Sequence, residues 1–155
     1  MYNVANQEEY LAKRAENIAN LNKLAAFISS FEDAAGVAKE TTTESLRLRG
    51  RLLDEECTEL CKELQIARMH LTSDGLRPNW AAVAKEMADL IITVFSAARG
   101  LNINIGYTLQ EVIESNLSKR TDDGTFLRDT GGKILKGPNY IAPQLKAEEV
   151  LHGSN

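Results

Sequence analysis

The chain predicts an all-α fold, a four-helix bundle closed by a C-terminal hairpin or loop clasp. Three observations predict it. Apolar residues recur at spacings of three and four through four segments, glycine, proline and asparagine punctuate the gaps, and after Arg120 the periodicity gives way to closely spaced glycines. The first helix is expected from about Gln7 to Ala34, with Leu11, Ile18, Leu21, Leu24, Ala25 and Ile28 on one stripe and Gly36 as its stop. Thr41-Thr42-Thr43-Glu44 is a polar connector in which one threonine caps the second helix. That helix runs to about His70, with Leu46, Leu53, Cys57, Leu60, Leu64 and Ala67 as its stripe. Asp74-Gly75 and Pro78 make a turn. Asn79 then caps a third helix that starts near Trp80 and ends at Gly100, its stripe passing through Ala84, Met87, Ala88, Ile91, Val94, Phe95 and Ala98. Trp80 and the two cysteines, Cys57 and Cys61, are expected in the core. A fourth helix covers roughly Ile105 to Lys119, capped by Asn102 or Asn104. Thr125–Arg128 and Lys133–Lys136 suit a hairpin around Asp129–Gly132, and the polar tail, 146–155, is expected to be loose.

Length and charge narrow the possibilities. At 155 residues the chain fits one domain, placed at 1–145, and needs no covalent staple. Eighteen basic against 22 acidic residues leave a net charge of −4, so no positive field draws the chain onto nucleic acid. The most apolar stretch, Met87 to Ala98, is broken by Asp89, Thr93 and Ser96 and is too short to span a membrane. The first residues, MYNVANQEEYLAKRAEN, have no apolar signal core, and two cysteines make no disulfide framework. A cytoplasmic setting is expected.

The acids are more informative than the composition. Glu56 falls three residues after Leu53 and four before Leu60, so it interrupts the apolar stripe of the second helix. Glu86, three after Val83 and four before Leu90, does the same on the third. A carboxylate facing a helical core costs several kcal/mol unless something compensates it. Glu56 with Glu59, and Glu86 with Asp89, are i,i+3 pairs that share a helix face. Antiparallel packing of the two helices would bring these four carboxylates around one point, where an oxygen-loving divalent ion, Mg²⁺ or Mn²⁺, would hold them. Glu55 is a fifth acid beside them, placed to bind a second ion or take a proton from water. Spacing alone leaves this cage and an ordinary solvated acidic face both open, and Glu63 belongs to the second class.

Other chemistries fit poorly. A di-iron bundle wants Glu-x-x-His on two helices, yet the one such spacing, Glu149 to His152, lies in the tail. Cys57 and Cys61 lack a second ligand pair for zinc. Gly131-Gly132-Lys133 is no phosphate-cradling Walker loop, because Leu127 and Ile134 stand where Gly and Ser or Thr are needed.

Glu55-Glu56-x-x-Glu59, a gap of 26 residues, then Glu86-x-x-Asp89 resembles the signature of the MazG-like all-α nucleoside triphosphate pyrophosphohydrolases, relatives of the all-α dUTPases and the phosphoribosyl-ATP pyrophosphatases. Leu46-Arg47-Leu48-Arg49, Lys85-Glu86-Met87-Ala88-Asp89-Leu90, Ser115-Asn116-Leu117-Ser118-Lys119 before Asp123-Gly124, and Gly132-Lys133-Ile134-Leu135-Lys136-Gly137-Pro138-Asn139-Tyr140 are similar to the compact phage and bacterial members. The likeness spans roughly Asn22 to Leu145 and leaves residues 1–20 as an N-terminal extension. Ile91-Ile92 departs from the aromatic that members often carry after Ala-Asp-Leu.

The resemblance implies Mg²⁺-dependent hydrolysis (Mn²⁺ substituting) of a nucleoside triphosphate, expected to be a deoxynucleoside triphosphate, to the monophosphate and pyrophosphate, as in cleansing of nucleotide pools. It makes Glu56, Glu59, Glu86 and Asp89 metal ligands and Glu55 the group that orients or deprotonates water. Asn116 and Lys119 then reach the phosphates or the metal shell, with Arg120 beside them as a further substrate-binding candidate; read functionally, Lys133 and Lys136 close over the triphosphate, their own or a neighbouring subunit's, and Tyr140 either packs the clasp or stacks on a base. Read without the family, Lys119 and Arg120 are favourable charges at a helix C-terminus, the two lysines are surface residues of a hairpin, and Tyr140 packs the clasp. The resemblance also implies a homodimer or homotetramer. The alternatives are a non-enzymatic helical interaction module whose acids are surface charges, and a phosphoribosyl-ATP pyrophosphatase.

Overall fold

The structure, a computed structural model, describes residues 4–37, 41–73 and 75–151. It is all-α: α1 (Val4–Ala34), α2 (Thr43–Thr72), α3 (Trp80–Gly100), α4 (Ile105–Leu117) and a single short turn of helix, α5 (Ala147–Val150). The helix starts follow from side chains that satisfy free backbone N–H groups. Thr42 accepts from the Ser45 amide at 3.1 Å while the Ser45 hydroxyl accepts from the Thr42 amide at 2.9 Å, a reciprocal cap on α2. Asn79 accepts from the Ala82 amide at 3.2 Å, and Asn104 from the Tyr107 amide at 3.1 Å. Of the two candidate asparagines, then, Asn104 caps α4, whereas Asn102 adopts a left-handed φ of 56° just past α3. Gly36, at φ 69°, stands past the end of α1 in the left-handed region that favours glycine.

The contacts gather into two units, Met1–Ala25 with Ile103–Asn155, and Ala26–Asn102. Helix α1 gives its first part to one and its last part to the other.

In the unit Ala26–Asn102, α2 packs on α3. Arg49, early in α2, bonds Ser96, late in α3, while Glu56 further along α2 lies beside Glu86 and Asp89, so the pair is antiparallel. The seam positions of α2 are Arg49, Leu53, Glu56, Leu60, Glu63 and Ala67, and those of α3 are Val83, Glu86, Leu90, Thr93, Ala97 and Gly100, all of them buried or half-buried. Both series alternate steps of three and four, the repeat of a two-helix seam.

This seam corrects the stripe read for α3. Met87, Ile91 and Val94 are exposed, and only Phe95 and Ala98 of that stripe are buried. Helix α3 is apolar on two adjacent faces, and α2 covers the one through Val83, Leu90 and Ala97. Trp80 is a second correction, since it sits on the uncovered side at 57 % exposure instead of anchoring the core. Cys57 and Cys61 are a third: both are exposed, because they fall beside the α2 seam and not in it. Glu63, read as solvated, is half-buried on that seam.

An ion cluster ties the last turns of α1 to the hairpin. Glu32 is buried; it takes hydrogen bonds from the Arg99 guanidinium at 2.9 Å and from the Ser96 hydroxyl, with Arg49 at 4.0 Å. Arg49 donates to the Ser96 carbonyl at 2.6 Å, and its guanidinium lies directly over Gly100, where a methyl group would collide with it. Glycine at 100 therefore makes room for an arginine as well as ending a helix.

In the other unit, Arg14 of α1 pairs with Glu111 and, at 2.9 Å, with Glu114 of α4. The Tyr107 hydroxyl donates to the Gln144 carbonyl at 2.8 Å and Ser115 to the Ile141 carbonyl at 2.8 Å, which straps the C-terminal segment along α4. Residues 4–20 run without a break into the rest of α1. In the tail, helix α5 packs on α4, the Asn104 amide donates to the Val150 carbonyl at 2.6 Å, and Leu151 bridges Ile103. Residues 152–155 of that tail lie outside the described residues. The hairpin closes at its expected turn, where Asp129 accepts from the Gly131 and Lys133 amides at 2.9 Å each. Among the described residues its arms make isolated bridges, Arg128 with Ile134, and no regular strand. Helix α4 stops at Leu117, two residues short of the expected end.

Candidate metal centre

Glu56, Glu86 and Asp89 each offer a carboxylate oxygen, and the three oxygens lie within 4.8 Å of one another. Two features of the sequence bring them there. Glu56 and Glu86 occupy seam positions, so packing of α2 on α3 turns them towards each other. Asp89, three residues on from Glu86, shares its side of α3. Glu86 is 8 % exposed, and Glu56 and Asp89 are half-buried. Glu55 and Glu59 are exposed on α2 and lie outside the converging set, although their charges reach Glu56.

The electrostatics are those of crowded like charges. Burial pushes the Glu56 carboxyl above its ordinary value, and Asp89, Glu59 and Glu55 push the same way against the pull of Lys85. Lys85 is the residue that sequence reasoning missed. Its ammonium donates to both Glu86 oxygens, at 3.0 and 3.1 Å, and lies 2.8 Å from Asp89. Those carboxylates hold its proton so firmly that its pKa is raised well beyond the lysine range. The signal was present as an i,i+4 Lys–Asp pair on α3. An all-oxygen set of this spacing fits a hard divalent cation such as Mg²⁺ better than zinc.

Beside the acids runs a groove of about 410 Å³ lined by Phe31 of α1, Leu48 and Leu52 of α2 and Ile92 of α3, with Glu32, Arg49 and Ser96 among its polar groups. Leu52 is one helical turn before Glu56 and Ile92 one turn after Asp89, so groove and acids share the same stretch of the hairpin.

The six residues given substrate-binding roles lie in the other unit, after or at the end of α4. The Lys119 ammonium donates to the Asn116 side chain at 2.6 Å. Arg120 lies over the Phe126 ring at 5.4 Å, and Lys136 over the Tyr140 ring at 4.3 Å, both cation–π contacts. Lys133 is exposed beside the Asp129 turn. Nearby, the Asp123 carboxyl is pulled down to about 2 by hydrogen bonds from Thr121 and Thr125, which fixes the Asp123-Gly124 turn. Among the described residues no helix is long and apolar enough to cross a membrane. Compared with known proteins, the chain matches no family model and no curated protein.

Proposed function

We propose that the chain is a nucleoside triphosphate pyrophosphohydrolase of the MazG-like all-α type, hydrolysing a nucleoside triphosphate of the deoxy series to the monophosphate and pyrophosphate. The convergence of Glu56, Glu86 and Asp89 across the α2–α3 seam carries this reading. These three, joined by Glu59, would hold Mg²⁺, with Mn²⁺ as a substitute. A divalent ion so held neutralises phosphate charge and lowers the pKa of bound water. Glu55 orients the attacking water and accepts its proton. The water oxygen bonds to the α-phosphorus, the α–β anhydride breaks, and pyrophosphate leaves with the electron pair. Release of Glu86 and Asp89 from Lys85 is the local rearrangement that ion binding requires. Asn116, Lys119, Arg120, Lys133, Lys136 and Tyr140 keep the substrate-binding roles implied by the resemblance, in a homodimer or homotetramer.

Incubation with canonical and modified nucleoside triphosphates in Mg²⁺ tests the reading. Pyrophosphate and monophosphate in equal amounts, lost in Glu56→Gln and Asp89→Asn, are expected. Release of inorganic phosphate instead, or no release from any substrate, would overturn it. A second reading rests on Lys85, which partly neutralises the cluster without a metal: the acids then form a structural ion network in a helical interaction module. Thermal melting with and without divalent ions separates the two.

A further inference from the structure

All but one of the polar side chains lining the groove beside the acids are engaged with protein partners. Glu32 accepts from Ser96 and Arg99, Arg49 donates to the Ser96 carbonyl, and Thr42 and Ser45 cap each other. Thr93 is the exception. It is half-buried in the same wall, yet among the described residues its hydroxyl meets no partner. A threonine inside a helix commonly turns its hydroxyl back to the carbonyl of the preceding turn. Thr72 does so to Arg68 at 3.3 Å and Thr108 to Asn104 at 3.0 Å, but Thr93 makes no such bond.

Position along α3 decides what meets that hydroxyl. Thr93 follows Asp89 by one turn, about 6 Å along the axis. Leu52 and Ile92 stand at the same level, while Leu48, Arg49 and Ser96 lie about a turn further from the acids. In a nucleoside triphosphate only O5′ and C5′ separate the α-phosphorus from the sugar ring, and the base lies beyond the sugar. A substrate with its α-phosphate at the acids and its nucleoside along the groove therefore brings the sugar level with Thr93 and the base level with Leu48. We propose that Thr93 reads the sugar: its hydroxyl hydrogen-bonds the 3′-hydroxyl of a deoxynucleoside triphosphate, while Leu52 and Ile92 cover the unsubstituted C2′. This rests on the pyrophosphohydrolase reading of the acids. A deoxyribose in a nucleotide has one free hydroxyl, and Thr93 can donate to it or accept from it. A ribose 2′-hydroxyl would lose its water to the two aliphatic chains and gain no partner in return.

The test compares hydrolysis of the canonical deoxynucleoside triphosphates with that of their 2′,3′-dideoxy counterparts. In the wild-type chain, loss of the 3′-hydroxyl should lower kcat/KM about three- to tenfold, the worth of one neutral hydrogen bond. Thr93→Val keeps the shape without the hydroxyl, so it should lose the same factor on the deoxy series and nothing on the dideoxy series. Thr93→Ser should restore the difference, and Thr93→Ala repeats the comparison where valine disturbs the seam. Equal hydrolysis of the two series by the wild type would overturn the role of Thr93 and leave the acids' role standing. A Thr93→Val chain that still prefers the 3′-hydroxyl as strongly would do the same. Pyrophosphate released by the wild type from none of these substrates would instead overturn the reading of the acids, and this one with it.

Discussion

Glu56 and Glu86 each replace an apolar residue at a position their helix turns inward, and the cation beside them is an ammonium from the same turn of α3. That arrangement keeps three carboxylates close at some cost from repulsion, so neutralising one should relieve it. Glu56→Gln is expected to raise the melting temperature in chelator by a few degrees while abolishing pyrophosphate release, with helical content unchanged. A lower melting temperature would mean that Glu56 stabilises the hairpin instead. Gly100 makes an independent test of the packing. Alanine normally favours a helix over glycine by about 1 kcal/mol, but here its methyl group meets the Arg49 guanidinium. Gly100→Ala should therefore destabilise by about 1–3 kcal/mol in urea titration, the range of an overpacked site. A gain in stability would show that the Arg49 guanidinium swings aside at little cost.

At the scale of elements, the helices were legible because their boundaries are chemical. Thr42 is the threonine that caps α2, Asn79 caps α3, Asn104 is the one of two candidate asparagines that caps α4, and Gly36 stands where α1 ends. The covered face of α3 was not legible. Val83, Leu90 and Ala97 on one side, and Met87, Ile91 and Val94 on the next, have the same period, and only the partner decides which is buried. Trp80 and both cysteines were misplaced for that reason. Of the site, the i,i+3 acids were readable because their spacing is local. The groove was not, since Phe31, Leu52 and Ile92 come from three helices. Helix α4 gives a prediction of its own. Burial pushes the Glu114 carboxyl up, but hydrogen bonds from Gln110 and Tyr10 and the charge of Arg14 outweigh it and hold it below its ordinary 4.5. The stabilisation is thus complete above pH 4.5 and is lost as pH falls through the lower folded value. Arg14→Gln should make the acid limb of a urea-midpoint profile shallower. It should also cost about 3–5 kcal/mol at neutral pH by leaving buried Glu111 without its charged partner. An unchanged acid limb would contradict this account of Glu114.

For the whole molecule, the seam that holds α2 to α3 is also what assembles the acids, so ion binding and folding are linked. An ion at a hundredfold excess over its Kd stabilises the folded chain by about 2.7 kcal/mol, which melting with Mg²⁺ or Mn²⁺ should register and chelator reverse. Lys85→Met should strengthen this response, because the ion would no longer compete with an ammonium for Glu86 and Asp89. The most direct measurement is the electron paramagnetic resonance signal of free Mn²⁺ as the chain is titrated into it. The signal should fall saturably with the wild-type chain and remain unchanged with the Glu56→Gln, Asp89→Asn double variant. A full signal at millimolar wild-type chain, or an equal loss with the double variant, would mean that these carboxylates hold no ion.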